Sequence, residues 1–241
     1  MLVKLENPTL FAKSIELISE LVLEARIKFS EFGMSITALD PANVAMVHFR
    51  IPKSAFSAYE AGQDALGVSL ESLKKILKRC GTKSSLVLEK KENLLEIKID
   101  DRVKRKFTLN LIEVEGEDRE LPTLEFSSIV EMSSQDFIDS VEDCAVVSDA
   151  CSFIIDDGKF IIEAKELNSA RSEFSSDEAL IKAENCHARY SLEYLQKFTK
   201  GSKLFEKTIL NFANDHPLRI DLKKEDLNLS FILAPRKEID D

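Results

Sequence analysis

One short basic helix is written twice into this chain, and that repetition constrains the fold more than any single residue does. Residues 68–81 read VSLESLKKILKRCG. Leu70, Leu73, Leu77 and Cys80 recur at helical spacing, which predicts one apolar face turned inward. Glu71, Lys74, Lys75 and Lys78 share the opposite face, with Arg79 beside them. Ser69 is placed to cap the start through its hydroxyl, and Gly81 to stop the helix in a left-handed turn. Residues 191–200, SLEYLQKFTK, repeat Ser, Leu, Glu, Leu, Lys and Lys at the same relative positions 122 residues later, and Gly201 follows. A second pair of segments obeys nearly the same offset: Phe11, Ser14 and Glu16 match Phe137, Ser140 and Glu142, 126 residues apart. Two matched pairs predict two copies of one structural unit.

The elements fall into that order. MLVKLE alternates as a strand, and Asn7–Pro8 opens a helix whose apolar stripe is Leu10, Phe11, Ile15, Ile18, Leu21 and Val22. ARIKFSEFGMSITALD reads as a hairpin turning at Gly33, VAMVHFRIP as a strand closed by Pro52, and SAFSAYEAGQDALG as the lead into the basic helix. A hairpin around Glu92–Asn93 and the strand RKFTLNLIEVE, with Phe107, Leu109 and Leu111 on one side, complete the first copy. The acidic, irregular stretch EGEDRELPTLE then reads as a linker. Beyond it FSSIVEMS is a strand, and Ser133 with Asp136 forms a capping box for the helix DFIDSVEDCAVV. A hairpin turning at Asp157–Gly158, the second basic helix and three further strands finish the chain. The predicted unit is strand, helix, three strands, helix, three strands, twice over. The predicted boundaries are 1–116, a connector 117–126, and 127–241, in the α+β class.

Composition narrows the function. No apolar run approaches the ~20 residues that cross a bilayer, and Met1 opens a strand-like stretch, so an intracellular protein without a membrane role is expected. Cys80, Cys144, Cys151 and Cys186 sit in apolar segments without a CxxC pair and read as reduced core thiols. His48, His187 and His216 lack metal-ligand spacing, and none of the seven glycines builds a phosphate-cradling loop, so no metal, cofactor or catalytic residue is expected. The net charge of −10 is uneven: 1–116 carry +2, 117–126 carry −3 and 127–241 carry −9. Any contact with nucleic acid must therefore use a local basic surface. RVKRK at 102–106 is one such stretch, equally readable as a solvated strand end.

The duplicated unit, the acidic connector and several strings together resemble the proliferating cell nuclear antigen family of DNA sliding clamps. The strings are EFGMSITALDPANVAMV at 31–47, SLESLKKILKR, LIEVE before the connector, and LAPR at 233–236. Length and ending are closer to archaeal members. The resemblance implies the DNA clamp fold: three protomers closing a pseudo-six-fold ring around duplex DNA, helices lining the hole and sheets forming the wall. It implies a processivity factor without chemistry of its own. A clamp loader opens it, and it tethers DNA polymerase, flap nuclease and DNA ligase through a short docking motif. It places the protein in the cytoplasm on the nucleoid if archaeal, in the nucleus if eukaryotic.

By matching strings, the resemblance places Lys13, Lys74, Lys75, Lys78, Arg79, Lys197 and Lys200 toward DNA. It lines a docking pocket with Leu39, Val44, Met46, Leu121, Pro122, Phe126, Pro217, Ile232, Leu233, Ala234 and Pro235. Arg119 stands where the family usually has an apolar residue. The third helix is a misfit, since Asp136, Asp139, Glu142 and Asp143 would face phosphates. A head-to-tail subunit interface resolves it. Lys78, Arg79, Lys83, Arg105 and Lys106, with Phe107, Leu109 and Leu111, would meet Asp139, Glu142, Asp143, Glu166 and Glu173 of the next copy. Three alternatives stay open: one subunit of a heterotrimeric clamp with paralogous partners, a DNA-free interaction scaffold, and an acidic intracellular enzyme using a carboxylate pair such as Asp156 and Asp157.

Overall fold

A computed structural model describes residues 1–114, 120–224 and 227–237. The first half runs β1 (Leu2–Leu5), α1 (Thr9–Ile18), β2 (Glu24–Ser30), β3 (Gly33–Leu39), β4 (Ala45–Pro52), a 3-10 turn, β5 (Ala58–Glu60) and β6 (Asp64–Ser69). It closes with α2 (Leu70–Leu77), β7 (Ser85–Lys91), β8 (Leu94–Asp100) and β9 (Lys104–Asn110). The second half opens with β10 (Ser128–Ser133), α3 (Ser134–Ala145), β11 (Ala150–Asp156), β12 (Lys159–Lys165) and β13 (Ser169–Phe174). It continues through β14 (Ala179–Ala183), β15 (Cys186–Ser191), α4 (Leu192–Ser202), β16 (Lys207–Phe212), β17 (Leu218–Lys224) and β18 (Leu227–Leu233).

These elements form two compact units. The first is Met1–Pro41 with Val47–Leu121 and Glu225–Leu229, and the second is Ala42–Met46 with Pro122–Lys224 and Ser230–Asp241. The chain thus contributes Ala42–Met46 to the second unit, where the Ala234 N–H donates to the Val44 carbonyl at 2.9 Å. Within the first unit one sheet runs β5-β1-β7-β8-β9, and another runs β6-β2-β3 into β4. The second unit repeats both, as β14-β10-β16-β17 into β18 and as β15-β11-β12-β13. The duplication read from two helix pairs therefore extends to every strand.

Five strands, rather than the expected three, stand between the two helices of each unit. The additional strands are β5 and β6 in the first unit and β14 and β15 in the second. β5 is only three residues long and AYE has no alternation to read. β6 contains Gly67, whose missing side chain is required by close approach: an added Cβ would lie 2.0 Å from the Ile112 carbonyl oxygen. The Ile112 N–H donates to the Gly67 carbonyl at 3.0 Å, which fastens the chain leaving β9 across the sheet.

The helix ends differ from expectation in detail. Ser69 does cap α2, accepting from the Ser72 N–H at 3.4 Å. The helix stops at Leu77, however, and Gly81 does not adopt a positive φ; its N–H donates to Ser84 Oγ at 2.8 Å. Cys80 thus lies past the helix and is only partly buried. Asn7 still serves α1, accepting from the Thr9 N–H at 3.2 Å. Ser133 makes no side-chain cap on α3; instead the Ser134 N–H finds the Glu206 carbonyl at 2.9 Å. The residue just before β16 thus satisfies one of the free N–H groups of the first turn of α3. The Asp157–Gly158 turn has φ of 46° and 73°, as the tight hairpin linking β11 to β12 requires. Asp156 and Asp157, the suggested carboxylate pair, are its strand end and corner.

Each core is apolar and aromatic. In the first unit Phe11 stacks on Phe49 at 6.2 Å, and Ile15, Val68, Leu70 and Leu73 are fully enclosed. In the second, Phe153 meets Phe137, Phe160, Tyr190 and Phe212 with ring centroids between 5.2 and 6.3 Å.

Candidate functional site

The helices pack in pairs, α1 beside α2 and α3 beside α4. Burying Leu70, Leu73 and Leu77 forces the other side of α2 outward. Lys75, Lys78 and Arg79 are exposed and Lys74 is partly so; Lys13 is exposed on α1, and on α4 Lys200 is exposed while Lys197 is partly covered. Several of these cations already have anionic partners. Lys78 pairs with Glu16 of α1 at 2.7 Å, Lys75 with Glu71 at 2.8 Å, and Lys197 with Glu193 at 2.9 Å. Lys13 makes no ion pair among the described residues. The first helix pair nonetheless keeps an excess of cations.

The second pair does not. Asp136, Asp139, Glu142 and Asp143 are all exposed on α3. Glu142 lies 3.7 Å from Lys203, and Gln135 Nε2 donates to Asp139 Oδ1 at 2.7 Å. Asp136 and Asp143 have no ion-pair partner among the described residues. The two units carry the same helix pair with opposite electrostatic character.

Two strands named for the subunit interface lie at sheet edges, β9 in the first unit and β13 in the second. Phe107, Leu109 and Leu111 are partly covered, and Lys83 is exposed. Several of the charges expected to meet across copies are engaged within the chain. Arg105 holds Asp101 at 3.0 Å and donates to the Arg79 carbonyl at 2.9 Å. Lys106 holds Glu96 at 2.6 Å, and Glu173 receives Lys159 at 2.6 Å and Arg171 at 3.2 Å. Glu166 accepts from Ser148 Oγ at 2.7 Å. Glu96 is the most enclosed of these carboxylates. The hydrogen bond from Lys106, then that from Lys98, holds its pKa down at about 2.

The residues read as a docking pocket separate into two sets. Leu39 and Leu121 belong to the first unit. In the second, Val44 and Ala234 are joined by their main-chain bond, and Phe126 meets the His216 ring edge-on at 5.7 Å, one residue before Pro217. Tyr190 Oη donates to the His216 carbonyl at 2.7 Å and fixes that corner from the core. Met46, Ala234 and Pro235 are partly exposed and Pro122 is exposed. Ile232 and Leu233 are 8% and 0% exposed, so they belong to the core beneath the surface. Arg119 lies outside the described residues. His216 was not singled out from sequence; its place beside Phe126 is set by the turn before β17, which has no local signature.

The family description "Proliferating cell nuclear antigen, N-terminal domain" matches residues 1–119, and "Proliferating cell nuclear antigen, C-terminal domain" matches residues 120–237. The chain belongs to the proliferating cell nuclear antigen family. Among curated relatives, "DNA polymerase sliding clamp 1" of Thermococcus kodakarensis is 36% identical over 236 residues, covering 95% of each chain. The "DNA polymerase sliding clamp" of Pyrococcus furiosus is 35% identical with the same coverage. Solved structures share the fold. Proliferating Cellular Nuclear Antigen from Entamoeba histolytica superposes with a TM-score of 0.91 at 24% identity, covering 98% of each chain. The PCNA2–PCNA3 complex from Sulfolobus tokodaii gives 0.88 at 24% identity, covering 99% of this chain and 100% of that one. The division between the two family halves, at 119/120, lies in the acidic stretch that separates the two copies in sequence. No helix among the described residues is long and apolar enough to cross a membrane.

Proposed function

We propose that this chain is a DNA polymerase sliding clamp, closing with two further copies into a ring around duplex DNA. The observation that carries the reading is end-to-end similarity: 36% identity over 95% of a chain bearing that name. The duplicated sheets and helix pairs support it, because a ring built from repeated units needs the same architecture at each step. On this reading the protein is a tether and performs no chemistry. Partners such as DNA polymerase, clamp loader, flap nuclease and DNA ligase dock a short motif near Phe126, Pro217 and Pro235.

The basic face of α2 supplies attraction without sequence preference, since lysines act on phosphates through charge and counterion release. Lys78 and Lys75 must exchange Glu16 and Glu71 for phosphate, so Lys74 and Lys13 contribute more per residue. Retention on a closed circular duplex, lost when the circle is cut, is the decisive test. An enzyme or a DNA-free scaffold would give no such difference. Changing Lys74, Lys75 and Lys78 together to Ala should leave thermal unfolding nearly unmoved, as exposed changes usually cost under ~0.5 kcal/mol. It should lower the salt slope of DNA association by at most ~0.9 for each phosphate no longer neutralised. An unchanged slope would remove α2 from the DNA-facing surface.

Docking is testable at Pro235, which is partly exposed. Pro235→Asp sets a charge where a partner's apolar anchor would sit and should weaken binding of a docking-motif peptide at least ~10-fold in calorimetry. Leu233→Asp cannot serve, because that side chain is fully enclosed and the variant would report unfolding. Equal peptide affinity in parent and Pro235→Asp would place the pocket elsewhere.

A further inference from the structure

The duplication lets the two helix pairs be compared position by position. Phe11 and Ser14 of α1 are buried as Phe137 and Ser140 of α3 are, and Leu70 and Leu73 of α2 as Leu192 and Leu195 of α4 are. The outward faces therefore align too, α1 with α3 at an offset of 126 residues and α2 with α4 at 122. On that alignment Glu71 and Lys75 recur as Glu193 and Lys197, and their ion pair recurs with them, at 2.8 and 2.9 Å. Lys78 recurs as Lys200. Lys13, Lys74 and Arg79 do not recur. Asp139, Gln196 and Gly201 stand in their places.

Those three are the cations of the first pair that make no ion pair among the described residues, whereas Lys75 and Lys78 hold Glu71 and Glu16. We propose, on the sliding-clamp reading above, that the first helix pair alone carries duplex DNA, through Lys13, Lys74 and Arg79, and that Asp139 holds the second pair off the phosphates.

A paired cation gains little from a phosphate, because it must give up one anion to meet another. An exposed cation without a partner gives up nothing and releases counterions from the duplex, which is the main source of affinity without sequence preference. The second pair has its cations committed. Lys197 pairs with Glu193 and lies 5.0 Å from the centre of the Tyr194 ring, and Lys203 lies 3.7 Å from Glu142. Its α3 adds Asp136, Asp139, Glu142 and Asp143 and no basic residue. Over the aligned stretches, 8–22 with 70–81 and 134–148 with 192–203, the balance inverts. The first has five cations and three carboxylates, and the second has three cations and five carboxylates. One pair attracts a duplex and the other repels it, which leaves fewer phosphates neutralised and a weaker grip on DNA that must slide through.

The test follows association of the full chain with a closed circular duplex as salt is varied. Lys13→Ala with Lys74→Ala should lower the salt slope by up to ~1.8, two phosphates at ~0.9 each. Lys197→Ala with Lys200→Ala should leave the slope unchanged. Asp139→Asn should raise association about 2- to 5-fold at ~0.01 M salt, where charges act over ~30 Å. That gain should fade near ~0.15 M, where they act over ~8 Å. All five positions are exposed or partly so, and each variant should sediment as the parent does. A slope lowered as much by the α4 changes as by the α1–α2 changes would overturn the proposal, as would unmoved association in Asp139→Asn. Altered sedimentation of Asp139→Asn would put that carboxylate in a subunit contact and overturn its role toward DNA. A parent that the closed circle does not retain would refute the clamp reading itself, a result distinct from a retained parent whose α4 variant loses slope.

Discussion

Thr108→Pro is expected to leave the fold standing and to take the ring apart, so that the variant sediments as one chain where the parent sediments as three. The Leu111 N–H donates to the Asn93 carbonyl at 2.9 Å, which sets the phase of the β8–β9 ladder. Counting back by twos, the N–H groups of Leu109, Phe107 and Arg105 turn toward β8, and those of Lys106, Thr108 and Asn110 turn to the open edge. Proline at Thr108 thus removes an edge donor and spares every bond to β8. On the ring reading, β9 of one copy pairs with β13 of the next. Each interface then loses a hydrogen bond and leaves an acceptor unpaired, about 1–3 kcal/mol, three times over in a ring. Retention on closed circular DNA should fall with assembly.

Charge reversal at the same interface should do less. Arg105, Lys106, Glu142 and Glu173 already hold partners in their own chain, so a contact between copies trades one ion pair for another. Exposed pairs contribute about 0–1 kcal/mol in any case. Main-chain pairing and the partly covered Phe107 and Leu109 must carry the association. A Thr108→Pro variant that sediments as the parent does would refute edge pairing. A parent that is monomeric at low salt would favour a heteromeric ring.

Phe153→Ala is expected to destabilise the second unit by about 3–5 kcal/mol, against total domain stabilities of about 5–15 kcal/mol. The ring is fully enclosed and meets four other aromatic rings, so its removal leaves a cavity that several rigid side chains must fill together. Ile129→Ala, on the 43%-exposed face of β10, is the matched control and should cost under ~0.5 kcal/mol. Denaturant unfolding should show the Phe153 variant's transition moved and that of the control in place. A loss below about 1 kcal/mol at Phe153 would mean that the aromatic cluster relaxes into the space.

Much of this chain is legible because its information is local and periodic. Helical spacing of Leu70, Leu73 and Leu77 determined that α2 is amphipathic and that its lysines face away from the core. The offset between the matched helices determined that there are two copies of one unit. The Asp157–Gly158 turn determined its hairpin, since that backbone shape favours those residues. Family strings such as LAPR carried the identification, because a string in register over a whole chain is specific where a single residue is not.

What the tertiary structure alone decided is what lies beside what. The short strand β5 and the Gly67-containing β6 take their identity from neighbours distant in sequence, and no alternation announces them. Ser133 makes no side-chain cap on α3, and the Ser134 N–H is held instead by the carbonyl of Glu206, 72 residues further along the chain. Leu233, named by the family string as lining a pocket, is fully enclosed, and Lys78, on the outward face of α2, is held by Glu16 of α1. Burial and ion pairing are energies between groups far apart along the chain. Periodicity fixes which face of an element turns inward, and only the packed structure fixes what that face meets.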